Sequence, residues 1–327
     1  AGVVFSGGGA TGHVAILAQS LDLPLVATAD PRLFSIPTGT EIVVDAEDGK
    51  IIVGPSPEVQ TAYLGRVSVR KTAITRDEGT IPFPLLTRDG AAVVLSANVN
   101  LVKDARAAHL LGAHGVGLYR SEIPFLIRNG FPTEEEQYTV YRRVVDETPG
   151  GVVHFRTLDL GGDKLLSSQV GREDNPFLGY RGIRFLLGHP EIFRDQIRAM
   201  LRAGAGREIG IQFPMIGSME EFLAAREEVT ACIAELQERE IPCNAAPALG
   251  VMIELPAAVE IAGELARTAD FLSIGTNDLI MYTLAADRTN HRVADIYRRM
   301  HPAVLRSLQR VCTAAEGTDT PVSVCGA

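Results

Sequence analysis

An alternation of apolar strands with amphipathic helices, repeated six or seven times, constrains the fold of this chain more than any other feature. The predicted strands are residues 92–98, 115–119, 151–158, 209–215, 249–254, 270–275 and 321–325. Continuous apolar strands that alternate with helices are typical of a parallel sheet with both faces buried. The intervening helices carry start signals, which are capping boxes at Thr133 and Ser218 and a proline, Pro256, at a first helical position.

The residues at the carboxyl ends of these strands indicate which parallel sheet is formed. Strand after strand finishes in a polar or reactive side chain, namely Arg120, Arg156, Glu254, Asn277 with Asp278, and Cys325. A doubly wound sheet would concentrate such groups at one crevice, whereas a (β/α)8 TIM-type barrel builds its site from many strand ends. We therefore expect a barrel over residues 90–327. Because seven strands are predicted, we expect it to be incomplete, with the last strand beyond Ala327.

The amino-terminal residues 1–54 read as a small α/β piece. It comprises strands 2–5 and 23–27, a helix over 13–21, and a hairpin in which "EIVVD" and "KIIVG" are joined by "AEDG". Gly7, Gly9 and Gly12 spell G-x-G-x-x-G, with Asp30 at the distance of a dinucleotide-binding acid. The hairpin stands where such a fold needs another helix and parallel strand, which counts against a nicotinamide site. The glycine turn then serves to present His13, and residues 55–89 are predicted to be a linker helix.

Composition excludes several classes of function. The net charge is −9 and no Lys/Arg cluster is present, which disfavours nucleic-acid and anionic-membrane binding. No apolar run approaches the ~18 residues of a membrane span and no signal-like start is seen, so we expect a cytoplasmic protein. The four cysteines lack C-x-x-C spacing, which disfavours a zinc site and a disulfide scaffold.

The charged residues predicted at the barrel face suggest one class of substrate. Four are basic, Arg120, Arg156, Lys164 and Arg288, and two are acidic, Glu254 and Asp278. Arginine binds phosphate and carboxylate in bidentate fashion, and carboxylate oxygens are ligands for Mg²⁺. Any one of these residues alone is more simply explained by a structural ion pair. Together they favour a phosphorylated carboxylate bound through a divalent cation.

Six segments carry a resemblance to a known family. They are "GVGLYRSE" (115–122), "FRTLDLGGDK" (155–164), "NPFLGYRGIR" (175–184), "FPMIGSMEE" (213–221), "GVMIELPAA" (250–258) and "SIGTNDLIMYTLAADR" (273–288). In this order they resemble the phosphoenolpyruvate-utilising enzymes, and among them Enzyme I of the bacterial phosphotransferase system. The stretch "RSEIPFLIRNGFPTEEEQ" is more similar to its nitrogen-related paralogue.

The resemblance implies roles for individual residues. The loop "GGATGH" matches the family loop whose histidine is phosphorylated, which falls on His13. The substrate-binding positions fall on Arg120, Arg156, Asn277, Asp278 and Arg288, with Lys164 and Arg181 in matching motifs that shape the site. The Mg²⁺ ligands fall on Glu254 and Asp278. The cysteine acid falls on Cys325.

The implied activity is Mg²⁺-dependent transfer of the phosphoryl group of phosphoenolpyruvate to His13. Pyruvate is released and the phosphoryl group passes on to an HPr-type carrier protein. Residues 1–54 are then part of a swivelling phosphohistidine domain, and the family's carrier-docking domain would lie upstream. Family members also dimerise through the barrel. Gly12 and Ala327 depart from the family pattern, which has serine and glutamate there.

Two other interpretations remain open at this point. One is the barrel of an enzyme of the pyruvate phosphate dikinase or phosphoenolpyruvate synthase type. The other is a sensor that binds phosphoenolpyruvate without reacting.

Overall fold

A computed structural model describes most of the chain in two compact units, residues 1–82 and 83–327. The described residues are 2–6, 18, 23–28, 30–76, 84–126, 131–160, 175–287, 290, 292–293 and 295–326. Among the described residues, no helix combines the length and apolar character that crossing a membrane requires.

The first unit pairs two short parallel strands and a hairpin with one long helix. Its elements are β1 (Val3–Ser6), β2 (Leu25–Thr28), a 3₁₀ turn (Pro31–Ser35), β3 (Ile42–Asp45), β4 (Lys50–Val53) and α1 (Pro57–Arg76). β1 and β2 are parallel, and β3 and β4 are antiparallel. In the turn between β3 and β4, Asp45 Oδ1 accepts hydrogen bonds from the N–H groups of Glu47 and Asp48, and Gly49 has a φ of +63°. The predicted hairpin is confirmed. The predicted helix over 13–21 lies outside the described residues except for Ala18.

The second unit contains a sheet of seven parallel strands in sequence order. The strands are β7 (Ala97–Val99), β8 (Gly115–Arg120), β9 (Val152–Arg156), β10 (Ile209–Phe213), β11 (Ala248–Ile253), β12 (Phe271–Gly275) and β13 (Val322–Cys325). Each strand pairs with the next along the chain. This sequential parallel order forms a nearly closed barrel. It confirms the prediction of an incomplete TIM-type barrel.

Helices follow the strands on the outside of the sheet. They are α2 (Val102–Leu110), α3 (Ile123–Leu126), α4 (Glu134–Asp146), α5 (Ile183–Gly188), α6 (Pro190–Ala203), α7 (Met219–Glu238), α8 (Pro256–Glu260), α9 (Ala262–Ala266), α10 (Thr276–Leu284) and α11 (Pro302–Ala315). Thr133 and Ser218 form the predicted capping boxes with Glu136 and Glu221, and Pro256 begins α8. These caps satisfy backbone N–H groups that have no partner within the helix.

The first barrel strand differs from the prediction. We expected one strand over residues 92–98, but Ala92–Val93 forms β6, which pairs antiparallel with β5 (Leu85–Leu86), and the barrel begins at Ala97. Between them Val94 is 73 % exposed. The run "AAVVLSANV" contains no glycine or proline that would mark a break, so the sequence pattern alone does not divide it between two sheets.

The core lies between the sheet and its helices. All five residues of β10 and of β12 are buried. Tyr119 of β8 contacts Tyr141 of α4 and Phe155 of β9 edge-on, with ring centroids 5.7 and 5.6 Å apart. Tyr141 and Phe155 also contact each other, with centroids 5.3 Å apart. This packing fixes the strands whose carboxyl ends carry the predicted site residues.

Candidate active site

Five barrel strands end in, or lead directly into, predicted site residues. Arg120 and Arg156 are the last residues of β8 and β9 and are partners in the strand register. Glu254 follows β11, Asn277 and Asp278 lie in the first turn of α10 directly after β12, and Cys325 is the last residue of β13. Because the strands are parallel, these residues all lie at the carboxyl end of the barrel, where the sites of such barrels are built.

Three carboxylates converge at this end, those of Asp159, Glu254 and Asp278. One oxygen from each lies within 4.8 Å of the others. Glu254 is only 2 % exposed and the Asp159 side chain only 4 %. We refer to these three residues as the acidic cluster. Two of them, Glu254 and Asp278, are predicted metal ligands, and the structure adds Asp159 to them.

Arg181 lies against two members of the acidic cluster. Its Nη2 is 2.9 Å from Asp159 Oδ2 and 2.9 Å from Asp278 Oδ2, and its Nε donates to Asp159 Oδ1 at 3.1 Å. The third nitrogen, Nη1, donates to the hydroxyl of Tyr282 at 3.3 Å. Each nitrogen of this guanidinium therefore donates to a group of the protein itself.

Arg156 is held by two acids from either side. Its Nη2 is 2.6 Å from Glu122 Oε1, and its Nη1 is 3.0 Å from Asp159 Oδ2. Asp159 thus bridges Arg156 and Arg181. The Nε of Arg156 is buried and has no hydrogen-bond partner.

The backbone around Glu254 is shaped to receive its carboxylate. Met215 adopts a φ of +61°, and its N–H donates to Glu254 Oε1 at 2.7 Å. Gly275 lies alongside, and a Cβ there would stand 3.0 Å from both Cβ and Oε2 of Glu254. Gly182, with a φ of +60°, would carry a Cβ 2.9 Å from Met215 Cγ. A Cβ would therefore be crowded at both glycines, and at Gly182 it would also meet an unfavourable positive φ.

Burial, together with the charges of Asp159 and Asp278, raises the pKa of Glu254 to about 8, although Arg156 and Arg181 act in the opposite direction. Glu122, Asp159 and Asp278 share the two arginines in ion pairs, and with Glu254 beside them four acids face two guanidinium groups. The ionised carboxylate of Glu254 is thus short of a counter-charge.

Cys325 and Asn277 lie on the neighbouring elements. The Cys325 thiol accepts a hydrogen bond from the hydroxyl of Ser273 at 3.7 Å, and burial raises the pKa of the thiol. The backbone carbonyl of Cys325 accepts a hydrogen bond from the Thr276 hydroxyl at 2.8 Å, which connects β13 to the start of α10. Tyr297 donates to the carbonyl of Asn277 at 3.0 Å. The raised pKa keeps the thiol protonated at neutral pH.

Comparison with known proteins identifies the family. Residues 76–327 match the family model described as the PEP-binding domain of PEP-utilising enzymes, and residues 1–49 match the model of their mobile domain. The chain belongs to the PEP-utilising enzymes. The family resemblance predicted from the motifs is thereby confirmed.

Individual relatives cover nearly all of this chain. A phosphoenolpyruvate-protein phosphotransferase of Bacillus sp. (strain S) is 40 % identical over 98 % of this chain and 55 % of the relative. A multiphosphoryl transfer protein of Rhodobacter capsulatus is 43 % identical over 99 % of this chain and 39 % of the relative. The chain spans about half the length of the curated phosphotransferases it matches. Among solved structures, a HpcH/Hpal aldolase/citrate lyase family protein from Burkholderia cenocepacia J2315 has a TM-score of 0.41 at 14 % identity, over 70 % of this chain and 77 % of that one.

In this PEP-utilising enzyme the acidic cluster fits a divalent cation. It offers three carboxylates within reach of one ion, and the buried Glu254 lacks a full counter-charge. Carboxylate oxygens are the ligands that Mg²⁺ prefers in proteins.

Sequence reasoning singled out neither Asp159 nor Glu122, although both lie in the quoted family segments. Asp159 stands three residues after Arg156, and Glu122 stands two residues after Arg120. An acid that closely follows a strand-end arginine was the available signal. The predicted residues His13, Lys164 and Arg288 lie outside the described residues.

Proposed function

We propose that this chain forms the PEP-binding barrel, and part of the phosphohistidine domain, of a phosphoenolpyruvate-protein phosphotransferase. In the reaction the bond between phosphorus and the enol oxygen of PEP breaks and a bond forms between phosphorus and an imidazole nitrogen of His13. The enolate that leaves takes a proton at carbon and becomes pyruvate. The observation that carries this proposal is the acidic cluster bordered by Arg156 and Arg181 at the carboxyl end of the barrel.

The substrate carries a phosphate and a carboxylate, and the basic residues are assigned to them. Arg120 and Arg156 bind these anionic groups from the ends of β8 and β9, together with Arg288. Asn277 adds an amide donor from the first turn of α10, and Lys164 and Arg181 complete the set. Fixed charges of this kind carry most of the rate in phosphoryl transfer because the transition state requires little covalent help from the protein.

Glu254 and Asp278 are assigned as the residues that hold Mg²⁺. When bound, the ion supplies positive charge to the phosphate and to the developing enolate. Met215 contributes by fixing the orientation of the Glu254 carboxylate through its backbone N–H.

Cys325 is assigned as the acid that protonates the enolate. Burial raises the pKa of its thiol, so the proton is present on the sulfur at neutral pH. A thiol at the end of β13 is placed among the other strand-end groups of the site. A positioned acid of this kind contributes roughly 10²- to 10⁴-fold to a proton transfer.

His13 accepts the phosphoryl group as a neutral imidazole, and the glycines that precede it in the sequence carry no Cβ to hinder close approach. Gly12 removes the hydroxyl that the family loop usually provides at that position. The phosphorylated protein then passes the group to an HPr-type carrier in the cytoplasm. We further propose that the barrel mediates a homodimer.

The experiment is labelling of the intact protein with ³²P-phosphoenolpyruvate and Mg²⁺. We expect an acid-labile, base-stable label that is lost in His13→Ala and kept in His109→Ala, which alters an exposed histidine of α2. Glu254→Gln and Asp278→Asn should lose the Mg²⁺-dependent label while keeping the barrel folded by circular dichroism. Equal labelling of His13→Ala would show that the acceptor assignment is wrong.

A further inference from the structure

Arg181 occupies a place where two kinds of cation compete. Its Nη2 lies 2.9 Å from oxygens of both Asp159 and Asp278. Those two residues belong to the same cluster of three carboxylates that could hold a metal ion. The guanidinium therefore already neutralises charge that a divalent cation would neutralise.

The contacts of Arg181 also indicate how it would respond to such an ion. Asp159 accepts from both Nε and Nη2, whereas Asp278 accepts only from Nη2 and Tyr282 only from Nη1. Two positive groups that share Asp278 repel each other strongly in a site this buried. The single contact with Asp278 is the weaker of the two carboxylate contacts, and the doubled contact with Asp159 anchors the side chain.

We propose that Arg181 is the resident counter-ion of the acidic cluster. It gives up Asp278 when a divalent cation binds, and its Nη2 then becomes a donor to the phosphate of the substrate. This inference rests on the proposed function. In the present arrangement all three nitrogens of Arg181 donate to the protein. Arg181 therefore switches between Asp278 and the phosphate, since it must release the first to bind the second.

The proposal requires the cation and phosphoenolpyruvate to assist each other. The cation releases Arg181 for the phosphate, and a phosphate that holds Arg181 removes the competitor from Asp278. Such coupling is reciprocal, so each ligand strengthens the other by the same factor. Without Arg181 the competition and this part of the coupling both disappear.

The test compares Mn²⁺ binding by the intact protein and two variants, Arg181→Gln and Arg184→Gln, with and without phosphoenolpyruvate, by electron paramagnetic resonance. Arg184 is the matched control, since it lies three residues later, in α5, and faces Glu221 at 3.7 Å instead of the cluster. Without phosphoenolpyruvate, Arg181→Gln should bind Mn²⁺ about tenfold more tightly than wild type. Phosphoenolpyruvate should also increase the affinity for Mn²⁺ much less in Arg181→Gln than in wild type. Arg184→Gln should match wild type in both respects.

Equal or weaker Mn²⁺ binding by Arg181→Gln without phosphoenolpyruvate would overturn the proposal. A variant that folds only when Mn²⁺ is present supports it, because the ion then replaces the missing guanidinium. If Arg181→Gln folds neither with nor without Mn²⁺, the Arg181→Lys variant tests the proposal instead. That variant should bind Mn²⁺ as weakly as wild type yet lose the coupling, and retained coupling would refute the switch.

The proposed function fails in a different way. In that case wild type shows no label on His13 and no effect of phosphoenolpyruvate on Mn²⁺ binding. If wild type shows both and Arg181→Gln behaves like Arg184→Gln, only the role of Arg181 is wrong.

Discussion

The backbone N–H of Met215 donates to Oε1 of Glu254 at 2.7 Å while Met215 holds a φ of +61°. A non-glycine residue in that region costs on the order of 1 kcal/mol and persists only where its surroundings demand it. Met215 is 1 % exposed and lies against Gly182, which also has a positive φ. The loop after β10 is therefore folded in a strained conformation that sets the position of one buried carboxylate.

Gly275→Ala should move that carboxylate without altering any charge. The added Cβ would stand 3.0 Å from Cβ and Oε2 of Glu254, which is closer than side chains normally pack. We expect the affinity for Mn²⁺ to fall about tenfold, the effect of roughly 1.4 kcal/mol of lost binding free energy. Isothermal titration calorimetry measures it. Gly263→Ala is the control, because a Cβ there meets nothing closer than 3.7 Å. Unchanged affinity in Gly275→Ala would mean that Glu254 does not hold the ion.

Glu254 should make the metal-free protein less stable as the pH rises. Burial raises its pKa from 4.5 to about 8, so between these values the folded state keeps a proton that the unfolded state has lost. Stability then falls with rising pH across this window, by at most about 1.4 kcal/mol per pH unit. Urea denaturation at a series of pH values measures the slope.

Glu254→Gln is the control for that slope, since glutamine does not titrate. It should flatten the dependence between about pH 4.5 and 8, and Mn²⁺ should flatten it in wild type by neutralising the carboxylate. A slope that is the same in wild type and in Glu254→Gln would assign the effect to another group.

The barrel and much of its site could be predicted from the sequence because both follow from local patterns. Apolar strands place their carboxyl ends together whenever the sheet is parallel, so the shared location of Arg120, Arg156 and Glu254 follows without knowledge of the packing. The capping box at Ser218 was equally local. The hairpin turn at Gly49 is another feature of this kind.

Most partners of these residues could not be predicted because they depend on contacts between distant segments. Asp159 pairs with Arg156 three residues before it, but its pairing with Arg181, 22 residues later, depends on the fold. The N–H of Met215 carries no sequence signal at all, since every residue but proline has one. The division of residues 92–98 between two sheets was missed for the same reason, because pairing with Leu85–Leu86 decides it.

Removing Arg156 should lower the free energy of unfolding far more than removing an exposed arginine does. Arg156 lies between Glu122 and Asp159, and the side chains of all three are 12 % exposed or less. Arg156→Met leaves these acids without their shared counter-charge, and we expect a loss of about 3–5 kcal/mol in the free energy of unfolding. Urea denaturation at pH 7 measures it.

Arg310→Met is the matched control, because Arg310 pairs with Glu260 and both side chains are about two-thirds exposed. Arg310→Met should lower the free energy of unfolding by less than about 1 kcal/mol. The double variant Glu122→Gln with Arg156→Met should recover part of the loss, since one unpaired charge is removed. Similar costs for Arg156→Met and Arg310→Met would contradict the buried ion-pair arrangement.

Cys325→Ala should separate the two halves of the proposed reaction. The variant loses the thiol whose proton is kept in place by burial, but it keeps the arginines and the acidic cluster. We therefore expect ³²P label to reach His13 while deuterium from solvent enters C3 of pyruvate at least about 100-fold more slowly. Nuclear magnetic resonance of pyruvate in D₂O measures the exchange. Cys312→Ala, which alters an exposed cysteine of α11, should exchange at the wild-type rate. If Cys325→Ala does so too, the proton reaches the enolate from another group.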